Sequence, residues 1–190
     1  MRESETYSGL RLAGEIFRGE EVRDCTFTDC RFEGCSFRRC SFTACVFLRC
    51  QFINPKFEGC EMVAGEFEEC LFTGVNFSDL RLNTGKWFPA DRAERCTWRY
   101  CSLMDFELGK FNFSDSVFED SVLQQCSLKT ADFRRSQFRS TVFSRCDLRE
   151  ADFRGASGYQ IDLETNRLTK ARFNFPEVVG LLSGLDIRIE

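Results

Sequence analysis

The sequence predicts an all-β solenoid whose chain winds as a square coil of about 20 residues per turn. Phenylalanine recurs every five residues from Phe27 to Phe52, and each one stands two residues after a cysteine. A period of five fits neither the 3.6 of an α-helix nor the 2 of a flat strand. Every fifth side chain points to one axis only if the chain turns through about a quarter circle per repeat. Four repeats then close one coil, and successive coils stack at the ~4.8 Å spacing of hydrogen-bonded strands.

The central position of each five-residue repeat holds a large apolar residue along almost the whole chain. In the first half these centres are Leu12, Phe17, Val22, Phe27, Phe32, Phe37, Phe42, Phe47, Phe52, Phe57, Met62, Phe67, Phe72, Phe77, Leu82 and Trp87. They resume at Trp98 and continue in steps of five to Phe153. We expect the centres to stack along the axis as the core. Its clearest members are Phe27, Phe32, Phe37, Phe42, Phe47, Phe52, Phe133, Phe138 and Phe143.

The position two residues before each centre, called the inward slot below, also faces the axis and demands a small side chain. All 12 cysteines of the chain occupy it: Cys25, Cys30, Cys35, Cys40, Cys45, Cys50, Cys60, Cys70, Cys96, Cys101, Cys126 and Cys146. Free cysteine behaves as a small buried hydrophobe, so we expect buried, reduced thiols. A zinc site would need short CxxC pairs and four converging thiolates, which this spacing does not supply. No metal and no cofactor are therefore expected.

The repeat pattern divides the chain into five parts. They are a polar N-terminal cap at 1–10, a first β-helix segment at 11–87, an interruption at 88–97, a second segment at 98–173 and a C-terminal module at 174–190. From Trp87 to Trp98 is eleven residues instead of ten, which indicates one inserted residue. Because 88–97 contains a proline and four charged residues, we predict a kink or short helical turn there. It is either a tolerated insertion or a contact loop for a partner.

The C-terminal module reads as a short helix followed by an edge strand. Pro176 and Glu177 suit the first turn of a helix. The apolar side chains that follow are Val178, Val179, Leu181, Leu182 and Leu185, with Ile187 in the strand. Two such ends packed together would form a C2 dimer shaped as a long rod. The alternative is a helix that only caps its own coil.

The repeats resemble those of the pentapeptide-repeat family, whose formula A(D/N)LXX is approached at Ala131-Asp132-Phe133 and Ala151-Asp152-Phe153. That resemblance implies a right-handed quadrilateral β-helix. The C-terminal pattern, from Asp162 and Asn166 through Ala171-Arg-Phe173 to Leu185-Asp-Ile187, is similar to that of the gyrase-protecting branch. Within this branch it is most similar to the albicidin-resistance proteins of the AlbG type and more distantly to the McbG, Qnr and MfpA types. The resemblance implies a partner, DNA gyrase, and protection from a poison such as albicidin, a quinolone or a microcin.

Composition favours a binding protein over an enzyme. The chain has no histidine, no phosphate-binding glycine loop and no nucleophile elbow, so no catalytic residues are predicted. A net charge of −4 disfavours direct binding of nucleic acid or an anionic membrane, and no apolar run reaches the length of a bilayer span. We therefore expect a soluble cytoplasmic protein.

Outward-facing carboxylates are the remaining candidates for function. They are either a solvated surface or a mimic of DNA phosphates that occupies the DNA-binding saddle of gyrase. The candidate contact residues are Asp91, Arg92, Glu94, Asp115, Asp132 and Asp152. The 26 Arg and Lys residues share the same surface, so charge alone does not establish mimicry. The alternative function is a protein–protein interaction module with no gyrase contact.

Overall fold

The computed structural model describes residues 1–80 and 90–182 as a parallel β-solenoid of about eight coils. Each coil has four sides, and most sides are strands of three residues separated by a corner. Every strand pairs in parallel with a strand of an adjacent coil, and strands inside a sheet pair on both sides. The predicted fold class is therefore confirmed.

The four sides form four faces, numbered in chain order. Face 1 holds β1 (Arg2–Glu3), β5 (Glu21–Arg23), β9 (Ser41–Thr43) and β13 (Glu61–Val63). Face 2 holds β2 (Thr6–Ser8), β6 (Thr26–Thr28), β10 (Val46–Leu48), β14 (Gly65–Glu68) and β16 (Ala90–Glu94). Farther along the chain these two faces continue as single bridges, such as Ser127 to Asp147 and Asp132 to Asp152.

Faces 3 and 4 keep regular strands through most of the rod. Face 3 holds β3 (Arg11–Ala13), β7 (Arg31–Glu33), β11 (Gln51–Ile53), β15 (Leu71–Thr73), β17 (Thr97–Arg99), β19 (Val117–Glu119) and β21 (Gln137–Arg139). Face 4 holds β4 (Ile16–Arg18), β8 (Ser36–Arg38), β12 (Lys56–Glu58), a 3-10 helix (Phe77–Asp79), β18 (Ser102–Met104), β20 (Val122–Gln124), β22 (Val142–Ser144) and β23 (Gln160–Ile161). A second 3-10 helix spans Glu177–Leu182.

The core is a set of phenylalanine stacks that run along the axis. Phe27 pairs with Phe47 and Phe47 with Phe67, and the ring centroids lie 5.0 and 5.1 Å apart. Rings on neighbouring faces meet edge to face, as Phe27 and Phe32 do at 6.1 Å. Both arrangements are favourable for aromatic pairs. All nine phenylalanines predicted for the core are buried, as expected.

The inward slots carry hydrogen bonds as well as packing. The thiol of Cys50 donates to the carbonyl of Phe27 at 3.3 Å, and the hydroxyl of Ser136 donates to that of Phe113 at 2.9 Å. In the same column the backbone N–H of Cys96 donates to the hydroxyl of Ser116 at 3.1 Å. A small S–H or O–H group in the slot therefore satisfies buried backbone groups of the adjacent coil.

The break between the two halves differs from the prediction. Phe72 pairs with Trp98, 26 residues later, whereas ordinary partners are 20 apart. The chain therefore contains six extra residues, which shift the repeat phase by one as a single insertion would. Ala90–Glu94 is a strand of face 2 and not a kink or helical turn. The predicted centres Leu82 and Trp87 and the first two residues of 88–97 lie outside the described residues.

The N-terminal residues do not form the separate cap that the sequence predicts. Arg2–Glu3 pairs with β5 and Thr6–Ser8 pairs with β6, so residues 1–10 already belong to the first coil. Their side chains are polar and exposed except for half-buried Tyr7 and Leu10, because no further coil of the described chain covers them.

Replacing Phe118 by alanine should destabilise the protein by about 3–5 kcal/mol, because it removes a fully buried ring stacked between Trp98 and Phe138. The matched change Phe17→Ala, at a partly buried centre near the N-terminal end, should cost about half as much. Urea unfolding of both variants measures the difference. Equal losses would contradict the axial core described above.

Candidate partner-binding surfaces

The six residues predicted to contact a partner lie together on face 2 or at its edge. Strand β16 supplies Asp91, Arg92 and Glu94, and Asp91 is the extra residue of a bulge opposite β14. Asp132 and Asp152 follow on the same face, where their backbones form a parallel β-bridge. Asp115 lies at the adjoining corner. Sequence spacing predicts a shared face only for Asp115, Asp132 and Asp152, and the structure adds the three residues of β16 to it.

Arginines neutralise most of these carboxylates. Arg135 makes two contacts to Asp115, at 2.7 and 2.6 Å. The carboxylate of Asp132 accepts hydrogen bonds from the side chain and the backbone N–H of Arg134. The carboxylate of Asp152 accepts the same two hydrogen bonds from Arg154. Hydrogen bonding from Arg135 lowers the pKa of Asp115, and hydrogen bonding from Arg154 lowers that of Asp152. Face 2 therefore presents paired charges here and not a row of free anions.

The predicted residues of β16 belong to a similar network. Arg92 contacts Glu66 at 2.8 Å and Glu94 at 3.6 Å. Arg95 contacts Glu68 and also lies 3.5 Å from Glu94. Arg95 lies 3.5 Å from Glu69 as well, so four carboxylates surround two guanidinium groups on this part of the rod.

Face 1 carries the carboxylates that sequence reasoning missed. Glu21, Glu61 and Glu107 occupy the same outward column and make no ion pair with any other residue in 1–80 or 90–182. Each is two coils from the next, which corresponds to roughly 10 Å. A count of acidic residues could not reveal them, because it does not show which carboxylates have an arginine within reach.

Net charge also changes along the rod. Residues 1–120 contain 15 basic and 21 acidic side chains, whereas residues 121–190 contain 11 and 9. The formal net charge is therefore −6 in the first part and +2 in the second. The unpaired column on face 1 lies in the acidic part.

The C-terminal segment exposes apolar side chains. Phe175 is 80% exposed and Val179 36%, while Val178, Leu181 and Leu182 are half-buried. Leu181 packs against the core, so one side of the 3-10 helix closes the last coil. The other predicted interface residues, Leu185 and Ile187, lie outside the described residues.

Comparison with known families matches two parts of the chain. A model of a pentapeptide repeat region matches residues 20–88, and a model of pentapeptide repeats in eight copies matches residues 112–149. The chain belongs to the pentapeptide repeat family.

Solved structures of QnrB1, described as a plasmid-mediated fluoroquinolone resistance protein, share the fold. A trypsin-treated form is 14% identical, covers 100% of this chain and 99% of its own, and superposes with a TM-score of 0.68. Full-length QnrB1 is 18% identical, with 96% and 100% coverage and a TM-score of 0.55. None of the curated proteins compared with the chain matches it.

No group of three or more Cys, Asp or Glu residues in 1–80 and 90–182 is arranged to hold a metal ion. No helix among those residues is long and apolar enough to cross a bilayer.

The thiols of the repeats are packed away from solvent. All 12 cysteines are buried and unbridged in the structure. Burial raises the pKa of Cys60 to about 11 and that of Cys101 to about 12. These thiols have a higher pKa in the folded than in the unfolded protein. Their contribution to stability is therefore fully present below the pKa of the unfolded state, and it is lost as pH rises through the pKa of the folded state.

A thiol reagent at pH 8 should therefore modify fewer than about one cysteine per folded chain and all 12 in denaturant, since buried, protonated thiols are poor nucleophiles. Ellman's reagent measures this directly. The urea midpoint should also fall as pH rises above about 9. Rapid reaction of several thiols in the folded protein would contradict the buried slots.

Proposed function

We propose that this pentapeptide repeat protein binds the type II topoisomerase DNA gyrase and protects it from a topoisomerase poison. The observation that carries the proposal is the match of the whole rod, end to end, to QnrB1, a fluoroquinolone resistance protein. The similarity of the C-terminal pattern to the gyrase-protecting branch supports the same partner. The role is one of binding, within the cytoplasm where gyrase acts.

Mimicry of DNA is the mechanism that we propose for this binding. Three carboxylates of face 1 support it, because Glu21, Glu61 and Glu107 share one outward column in the acidic part of the rod and pair with no residue of 1–80 or 90–182. Their spacing of roughly 10 Å corresponds to about three phosphate steps along one strand of duplex DNA. The arginine-paired residues of face 2 fit this role less well than the sequence suggested.

We further propose that the C-terminal segments of two copies pack together. The support is the exposure of Phe175 and Val179 at the end of the rod. A C2 dimer built there would place the acidic part of each rod at an outer end. Two anionic arms related by a twofold axis would match an enzyme with the same symmetry.

A supercoiling assay with purified gyrase tests the proposed function. The protein is titrated with and without albicidin and, separately, a fluoroquinolone. Restoration of supercoiling in the presence of one poison is expected and identifies the class of drug. Absence of any effect on gyrase at micromolar protein would contradict the proposal.

Reversing charge on face 1 should weaken protection. The double variant Glu61→Lys and Glu107→Lys removes two unpaired carboxylates, and we expect about tenfold more protein to be required for half-maximal rescue. The control is Glu15→Lys with Glu164→Lys, which makes the same change in net charge outside the column. If both variants lost activity equally, net charge would matter and the column would not.

Removing residues 174–190 should yield monomers and abolish protection, because the exposed apolar end is lost. Analytical ultracentrifugation measures the mass, and the supercoiling assay measures activity. A control variant, Phe175→Leu, keeps the apolar surface and should remain dimeric. Full protection by a proven monomer would contradict the role of the dimer.

An interaction module without a gyrase contact is the second candidate. The pairing of Asp115, Asp132 and Asp152 with arginines favours it, because a surface of paired charges is a weak mimic of DNA. Absence of gyrase binding together with a folded rod would make this the better interpretation.

A further inference from the structure

One stretch of face 4 has no charged side chain pointing outward. Three successive coils contribute its six outward residues, which are called the neutral patch: Ser102, Met104, Val122, Gln124, Val142 and Ser144. The coil before them carries the exposed carboxylate of Asp79 on its 3-10 helix. Charged residues make up 29% of the chain, and every other face of this part of the rod carries them. Val142 is 52% exposed, although a valine gains nothing from contact with water.

An exposed tyrosine stands at the edge of the neutral patch. Tyr100 occupies the corner between faces 3 and 4, two residues before Ser102, and is 65% exposed. Its backbone N–H donates to the carbonyl of Glu119 at 3.0 Å, which fixes the corner. Its side chain makes no aromatic stack with any residue of the described chain.

The backbone at Tyr100 makes this residue a costly choice. Its φ is +53°, in the left-handed region that favours glycine. The preceding residues of the same corner column are Gly14, Gly34, Asn54 and Gly74, which tolerate that conformation. Tyr100 is also the only aromatic residue at positive φ within the described ranges. A large ring held in an unfavourable conformation, with no burial to offset it, is better explained by a partner than by the fold.

The chemistry and size of the surface indicate what covers it. An uncharged surface does not attract the phosphates of nucleic acid or of lipid head groups. Three strands of three residues span on the order of 150 Å². A stable complex needs about 800 Å² on each partner, so the patch cannot by itself hold two copies together. It suits one contact in a complex that is also held elsewhere, and tyrosine is a favoured anchor in such contacts.

We infer that Tyr100 and the neutral patch dock against an uncharged protein surface of DNA gyrase, as a contact separate from the anionic column of face 1. This inference rests on the proposed function and deepens it. Tyr100 enters a pocket on the enzyme, and the flat sheet of β18, β20 and β22 packs beside it. Face 1 supplies electrostatic attraction, and face 4 supplies the short-range fit.

Binding of the full-length protein to purified gyrase, measured by surface plasmon resonance, tests the inference. Tyr100→Gly should weaken binding by about tenfold or more while keeping or raising the thermal midpoint, because glycine accepts positive φ without strain. Val122→Lys should weaken it to a similar extent by placing a charge in the neutral patch. The controls are Thr130→Gly, at a left-handed corner on the opposite edge of the rod, and Val46→Lys, at an equivalent outward valine of face 2. Both controls should bind within about twofold of the wild type.

Each outcome decides between the claims. Wild-type protein that does not bind gyrase overturns the proposed function and, with it, the partner named for this patch. Wild-type binding with unchanged affinity of either Tyr100→Gly or Val122→Lys overturns the docking surface alone. Equal weakening by the control variants also overturns it, because the effect would then belong to the rod as a whole.

Discussion

A small side chain in the slot two residues before most centres is the constraint on which the whole rod depends, and buried Phe106 and Phe111 are exceptions to it. It lets the chain turn a corner close to the axis, and its thiol or hydroxyl satisfies a carbonyl of the neighbouring coil, as Cys60 does for Phe37 at 3.1 Å. The corners then repeat at the strand spacing, and this spacing brings successive phenylalanine rings to about 5 Å. Packing along the axis and hydrogen bonding between coils are therefore two results of one sequence rule.

Because two of every five positions build the fold, the other three are free to differ from face to face. Face 1 carries carboxylates that pair with no other described residue, face 2 carries acid–arginine pairs, and one stretch of face 4 is an uncharged sheet. The same scaffold can thus present several surfaces with different chemistry, each as a straight column. Repeat proteins commonly carry their function in this way, on extended surfaces and not in pockets.

The fold could be predicted from the sequence because a period of five has one geometric solution, and the stacks of Phe27 and Phe47 follow from it. Three features could not. Phase alone cannot tell one inserted residue from six, so the register of Phe72 with Trp98 required the structure. Pairing of outward charges depends on side-chain reach between coils. The sequence therefore did not show that Asp152 is paired with Arg154, whereas Glu61 pairs with no other described residue. Tyr100 could not be recognised as unusual from the sequence, because its positive φ is known only from the structure.

Competition between duplex DNA and the protein for gyrase tests the central claim, that an anionic column of the rod takes the place of DNA on the enzyme. Labelled protein bound to gyrase is titrated with unlabelled duplex, and the fraction that remains bound is followed by fluorescence anisotropy. Our account predicts that the duplex displaces the protein completely, with an apparent affinity that falls in proportion to the protein concentration. Simultaneous binding of DNA and protein, with the anisotropy of the protein unchanged, would contradict it.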